Sequence, residues 1–192
     1  MEPVLNRRDV VAELLSNRGE AAAIVGLGAC VWDAAASGDH PLNFGLWGAM
    51  GGAVPMGLGL ALAQPRRRIY VITGDGEMLM GLGSLATVIV KRPHNLAIAV
   101  IDNEKYGETG MQRTHTAYGV DLSSVALGMG FSVARQVNHS EELRASLKTW
   151  QESSGPVFLN IKVKADPLPL VLPPRNGVYL RDRFVKALKS ND

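Results

Sequence analysis

Hydrophobic positions along this chain fall into two rhythms that take turns. Residues 21–25, 69–73, 96–101, 131–137 and 157–163 are short apolar-rich runs, most of them nearly continuous. Continuity marks strands covered on both faces, because a strand with one wet face alternates. Between these runs lie stretches with helical spacing, at residues 6–17, 50–63, 77–91, 122–128, 140–152 and 178–189. Asp121 and Ser140 stand where helix N-caps belong. Strands and helices in alternation predict a three-layer α/β/α fold around a mostly parallel sheet. Two segments escape both rhythms. Residues 102–119, "DNEKYGETGMQRTHTAYG", are polar and glycine-containing without period, and read as a long functional loop. Residues 164–176 are proline-rich and read as an extended arm before the last helix.

Composition narrows this picture. The chain has 192 residues, 46% of them hydrophobic and 20% charged, which is compatible with one globular domain over residues 1–192 and a sizeable core. Net charge is only +2 and the basic residues are scattered, so no nucleic-acid footprint is expected. The short run Arg66, Arg67, Arg68 reads as a solvated loop. Cys30 is the single cysteine, which excludes an intrachain disulfide; with no basic-then-apolar opening segment, a cytoplasmic location is expected. Residues 46–63 carry no charge over nearly the length of a membrane span, but contain five glycines and Pro55 and lack an aromatic belt. A buried helix with a glycine entry is expected there, and no membrane partner.

The stretch "YVITGDGEMLMG" sets the chemical question. A glycine turn opening a helix offers N–H groups and the positive end of the helix dipole to a phosphate, yet Asp75 puts a carboxylate in that turn. One answer is a dinucleotide site for NAD with Asp102 on the ribose, but the third glycine is missing here and in "GLGACV" from Gly26. Another is purely structural, with Asp75 capping its helix and Asn103 starting a turn. A third places a divalent cation between carboxylate and phosphate, which turns repulsion into a bridge. Asp75 and Asn103 lie 28 positions apart, room for one helix and one returning strand, so both can reach the same edge of the sheet.

"GDG" followed at this interval by "DNEKYG", with "GAMGGAVPMGLGLALAQP" before them, resembles the signature of the thiamine diphosphate-dependent decarboxylase and acetolactate synthase superfamily. Through "NF" at Asn43 and Phe44, "GDGEMLMGLGSLATV" and "DNEKYGETGMQRTHT", the likeness is strongest to the split sulfopyruvate decarboxylases and the related phosphonopyruvate decarboxylases. The resemblance implies a thiamine diphosphate-binding fold of the diphosphate-domain type. It further implies that Asp75 and Asn103, with the carbonyl of Lys105, hold Mg²⁺, and that Gly76 and Glu77 offer main-chain N–H groups to the diphosphate. Gly48 would hold the aminopyrimidine through its carbonyl, Met50 would wedge the cofactor into its bent form, and Tyr106 and Gly107 would complete its site. Asp102 stands where many relatives have asparagine.

The same resemblance implies a missing half. The glutamate that activates the cofactor belongs to a pyrimidine-binding domain, and Glu77, Glu104 and Glu108 do not match it. A pyrimidine-domain partner is expected, in a hetero-oligomer built on dimers. Glu108, Thr109 and His115 are placed to face substrate, with His115 and Glu108 the candidates for proton transfer. Arg113, Arg175 and Arg181 are candidates to meet a sulfonate or phosphonate. The activity implied is decarboxylation of a small 2-oxoacid to CO₂ and an aldehyde. Carboligation, or cleavage of another acyl or 2-hydroxyacyl substrate, remains the alternative, and an NAD-binding module a remote one.

Overall fold

Strands without a wet face need helices on both sides, and the chain supplies them in sequence. The computed structural model describes residues 4–190. Helix α1 (Arg7–Leu15) leads into strand β1 (Ala22–Val25), helix α2 (Ala29–Ala36) and strand β2 (Asn43–Gly45). There follow α3 (Ala53–Ala63), β3 (Ile69–Gly74), α4 (Asp75–Met80), α5 (Ser84–Lys91) and β4 (Leu96–Asp102). The long loop carries a small hairpin, β5 (Lys105–Tyr106) with β6 (Gln112–Arg113), and two 3₁₀ turns, Gly107–Thr109 and His115–Tyr118. The chain then runs through α6 (Leu122–Met129), β7 (Val133–Val137), α7 (Ser140–Glu152), β8 (Val157–Lys162) and α8 (Gly177–Lys189).

Six strands form one parallel sheet in the order β2-β1-β3-β4-β8-β7. Alternate residues of each strand feed opposite cores. Ala23, Val25, Tyr70, Ile72, Ala97, Ala99 and Ile101 pack with α1, α2 and α7, while Ile24, Val71, Ile98, Val100 and Phe158 pack with α3, α5 and α6. This is the three-layer α/β/α arrangement expected. Trp150 of α7 ties one layer together: it is fully buried, stacks on Tyr70 at 4.5 Å between centroids and donates its Nε1–H to the Leu14 carbonyl at 3.0 Å. Because β1 lies between β2 and β3, the chain leaves it in one direction and returns on the other side. The crevice beyond β1 and β3 is therefore the switch point at which such sheets receive ligands.

Three sequence expectations need correction. The helix expected over 77–91 is two helices, α4 and α5, parted at Gly81-Leu82-Gly83. A side chain at Gly81 would stand 2.5 Å from the Gly51 carbonyl oxygen, so the chain turns where backbone meets backbone, in a stretch of low helix propensity. Ser140 is not the N-cap of α7; His139 is, with the Glu142 carboxylate accepting from the Asn138 and His139 amides. Asp121 does cap α6, accepting from the Ser123 amide at 2.9 Å. The run at 66–68 is no solvated loop: Arg67 is buried and donates to the Glu20 and Leu188 carbonyls, and Arg68 donates to those of Trp150 and Ser153. Helix α2 and edge strand β2 went unread in the sequence. The uncharged segment resolves into α3, eleven residues long, and among the described residues no helix is long and apolar enough to cross a membrane.

Candidate functional site

A cavity of about 460 Å³ opens at the carboxyl ends of β1, β3 and β4. Each side comes from a different connection. Leu27 to Cys30 arrive from the β1–α2 turn, Gly74 to Glu77 from the β3–α4 turn, and Asn103 to Thr109 from the loop after β4. Met50 closes one side, and His115 stands at the rim.

Pairing of β3 with β4 sets Gly74 opposite Ile101, so Asp75 and Asp102 leave the sheet side by side. Asp75 is only 2% exposed, and burial together with the nearby Asp102 charge raises its pKa to about 6. It does not cap α4: the N-cap is Gly74, and no side chain caps that helix. Its side-chain partners are instead the Thr114 hydroxyl, which donates to Oδ2, and the Thr116 hydroxyl oxygen, 3.2 Å from the same atom. Among the described residues no basic side chain forms an ion pair with Asp75.

Asp102 has a different environment. Fully buried, it accepts from Thr116 Oγ1 at 2.8 Å and Asn160 Nδ2 at 3.0 Å, and pairs with Lys162 Nζ at 2.9 Å. Lys162 also bonds Glu104 at 2.8 Å, and its pKa is raised: these two carboxylates outweigh burial. Asn103 turns the chain here, its Oδ1 accepting from the Lys105 amide at 3.0 Å. Asn103 lines the same cavity as Asp75, and its Oδ1 keeps a second lone pair.

The loop covers the turn. A side chain at Gly76 would meet the Tyr106 ring at 2.5 Å, so only glycine lets that ring lie on the start of α4. Glu108 reaches across to the missing side chain of Gly28, where an added Cβ would stand 3.1 Å from its Oε1. Glu77 is anchored, its Oε2 accepting from Thr73 Oγ1 at 2.8 Å and the Leu27 amide at 3.0 Å, and burial raises its pKa. Cys30 lines the cavity, but burial pushes its thiol far up, which leaves it a neutral, unreactive wall.

Met50, Asp75, Gly76, Glu77, Asn103, Lys105, Tyr106, Gly107, Glu108, Thr109 and His115 thus meet at one cavity, as their sequence blocks suggested. Gly48 lies two residues outside the lining, and Glu104 is turned toward Lys162. Of the arginines proposed for an anion, none lines the cavity. Arg113 bonds the Ala117 carbonyl and lies over the Tyr118 ring, Arg181 pairs with Asp182, and Arg175 is exposed on the arm. The cavity arginine is Arg7, from the start of α1, held by the buried Asp33 that Arg8 also bonds. Only the folded packing of α1 on α2 reveals it, as only the fold reveals the buried threonines on each side of His115.

Comparison with known proteins gives the chain a family. The chain is 38% identical over 154 residues to the sulfopyruvate decarboxylase subunit beta of Methanothermobacter thermautotrophicus, covering 79% of this chain and 78% of that one. It is 33% identical over 186 residues to the subunit of the same name from Methanocaldococcus jannaschii, covering 95% and 97%. The phosphonopyruvate decarboxylase of Streptomyces viridochromogenes matches at 38% over 130 residues, 68% of this chain but only 32% of its own length. Benzoylformate decarboxylase from Polynucleobacter necessarius superposes with a TM-score of 0.73 over 86% of this chain and 34% of its own, at 18% identity, which speaks for the fold alone. Residues 27–161 match the family described as thiamine pyrophosphate enzyme, C-terminal TPP binding domain, and the chain belongs to that family.

Proposed function

We propose that this chain is the thiamine diphosphate- and Mg²⁺-binding half of a two-subunit lyase of C–C bonds, a decarboxylase of small 2-oxoacids bearing a sulfonate or phosphonate. One observation carries the reading: two oxygen-donor side chains 28 positions apart, Asp75 and Asn103, reach one cavity at the switch point, and the carboxylate has no cationic partner among the described residues. No cluster of three or more His, Cys, Asp or Glu side chains suited to a metal occurs among those residues. The donor set is one carboxylate, one amide oxygen and the main chain at Lys105. Such a set fits Mg²⁺, which takes few protein ligands and completes its octahedron with phosphate oxygens and water. Free N–H groups at the uncapped start of α4, at Gly76 and Glu77, suit a diphosphate beside it.

When bound, thiamine diphosphate supplies the electron sink for the bond that breaks. The protein's own residues do the rest. Asp75 and Asn103 would hold the cation, Met50 would support the pyrimidine end with the Gly48 carbonyl two residues before it, and Tyr106 with Gly107 covers the turn. Glu108 and His115, at the open side, hold and deliver protons at the substrate carbon. Glu77 is committed to Thr73 and Leu27, which supports a separate source for the activating glutamate. The partner would be a pyrimidine-domain chain; support comes from the relatives named as beta subunits and from the phosphonopyruvate decarboxylase, of which the match spans only 32%.

Calorimetry of the purified chain with thiamine diphosphate and Mg²⁺, against NAD, tests the reading. Cation-dependent binding of the first is expected; NAD binding insensitive to EDTA would overturn it. Sulfopyruvate and phosphonopyruvate should be decarboxylated only after the partner chain is added, and product analysis then separates decarboxylation from carboligation.

A further inference from the structure

Two buried carboxylates at neighbouring strand ends repel, and the protein has placed two hydroxyls between them. Thr114 and Thr116 are 0% and 4% exposed, and their oxygens are 2.9 Å apart. Each hydroxyl has a single proton to give. The closest pairings assign the Thr114 proton to Asp75 Oδ2 and the Thr116 proton to Asp102 Oδ1 at 2.8 Å. Thr116 Oγ1 also lies 3.2 Å from Asp75 Oδ2, so the pair spans the whole gap.

The two carboxylates then differ in charge balance. Asp102 is compensated by Lys162 and bonded by Asn160, while Asp75 receives a hydroxyl proton on one oxygen only and has no basic partner among the described residues. Oδ1 is left as the oxygen that no described side chain bonds. Between the threonines, His115 is exposed and stands at the cavity rim. We infer that Thr114 and Thr116 are positioning residues for the cation site: Thr114 fixes the Asp75 carboxylate by Oδ2 and leaves Oδ1 for a divalent cation, while Thr116 ties their shared segment to the compensated Asp102. This rests on the reading of the cavity as a cation and thiamine diphosphate site.

The hydroxyls act through Asp75, so their loss should follow the pattern of groups that orient a metal ligand, a roughly 10- to 100-fold loss of cation affinity. The test titrates the full-length chain, with its partner subunit where the two co-purify, with Mn²⁺ in the presence of thiamine diphosphate, reading bound Mn²⁺ by electron paramagnetic resonance. Thr114→Val should weaken Mn²⁺ by about tenfold or more, and Thr114→Ser should restore it to within about threefold of wild type. Thr116→Val, which unties the same segment from Asp102, serves if Thr114→Val does not fold. Wild-type affinity in both valine variants would overturn the positioning role while leaving the cofactor reading intact. Equal weakening in the valine and serine variants, in step with a lower melting temperature, would overturn it in favour of plain structural support. Failure of the wild-type chain to bind Mn²⁺ with the cofactor would instead overturn the cofactor reading itself.

Discussion

The two ends of the sheet bury polar side chains for opposite purposes. At the amino end, where α3 and α7 finish, donors meet main-chain carbonyls that helix ends leave without partners. Asn95 gives its amide to the Ala61, Gln64 and Arg67 carbonyls at 2.7–3.1 Å, and Arg68 closes the end of α7 on Trp150 and Ser153. At the carboxyl end, where α2 and α4 begin, acids and amides surround a cavity, and Asp75 lacks a counter-charge among the described residues. Burial of a polar group is therefore no sign of a site. Incomplete pairing at the end of the sheet where helices present N–H groups is.

The strongest way to break this contrast is Asp75→Ala. It should lower cation-dependent binding of thiamine diphosphate by about 100-fold or more by calorimetry while leaving the circular dichroism spectrum intact; unchanged affinity would mean the acid is no ligand. Asn95→Ala attacks the other end. Leaving the buried Ala61 and Arg67 carbonyls short of a donor should cost about 2–3 kcal/mol in urea unfolding with cofactor affinity unchanged. A parallel loss of affinity would show that the two ends are not independent. Gly76→Ala probes the seam between turn and loop: the new methyl meets the Tyr106 ring and should weaken cofactor binding about tenfold, a cost of about 1.4 kcal/mol. Adding Tyr106→Ala should recover part of that loss.

The most gradual effect is a pH dependence at the carboxyl end. The folded Asp75 titrates near 6 against 3.8 for a free side chain. Since its pKa is raised, its share of stability in the cation-free chain is complete below about pH 4 and is lost as pH climbs toward 6. The cation must displace that proton, so cofactor affinity should fall below about pH 6 by up to about tenfold per unit. Asp75→Asn should flatten the stability slope in thermal melts between about pH 4 and 6.

Five of the six sheet strands and both proposed ligand positions were legible because buried parallel strands are written as largely apolar runs, and their ends as glycine and Asx turns. Helix α2 was not. "ACVWDAAA" has no polar stripe, and its one acid, Asp33, is buried against Arg7 and Arg8, a pairing that only tertiary packing creates. The same packing hid Arg7 at the cavity and sent Arg67 inward. Thr114 and Thr116 escaped notice because a loop has no period against which an inward-facing residue stands out.

Gly51 and Gly81 belong to sequence blocks that read as separate signatures, yet their backbones touch with no room for a methyl group between them. The segment that carries Met50 and the helix that carries Asp75 are thereby geared together. A displacement of one, whether from an approaching protein or an engineered loop, is handed to the other without slack. Anyone transplanting this turn into a new scaffold would have to move both pieces as a single casting.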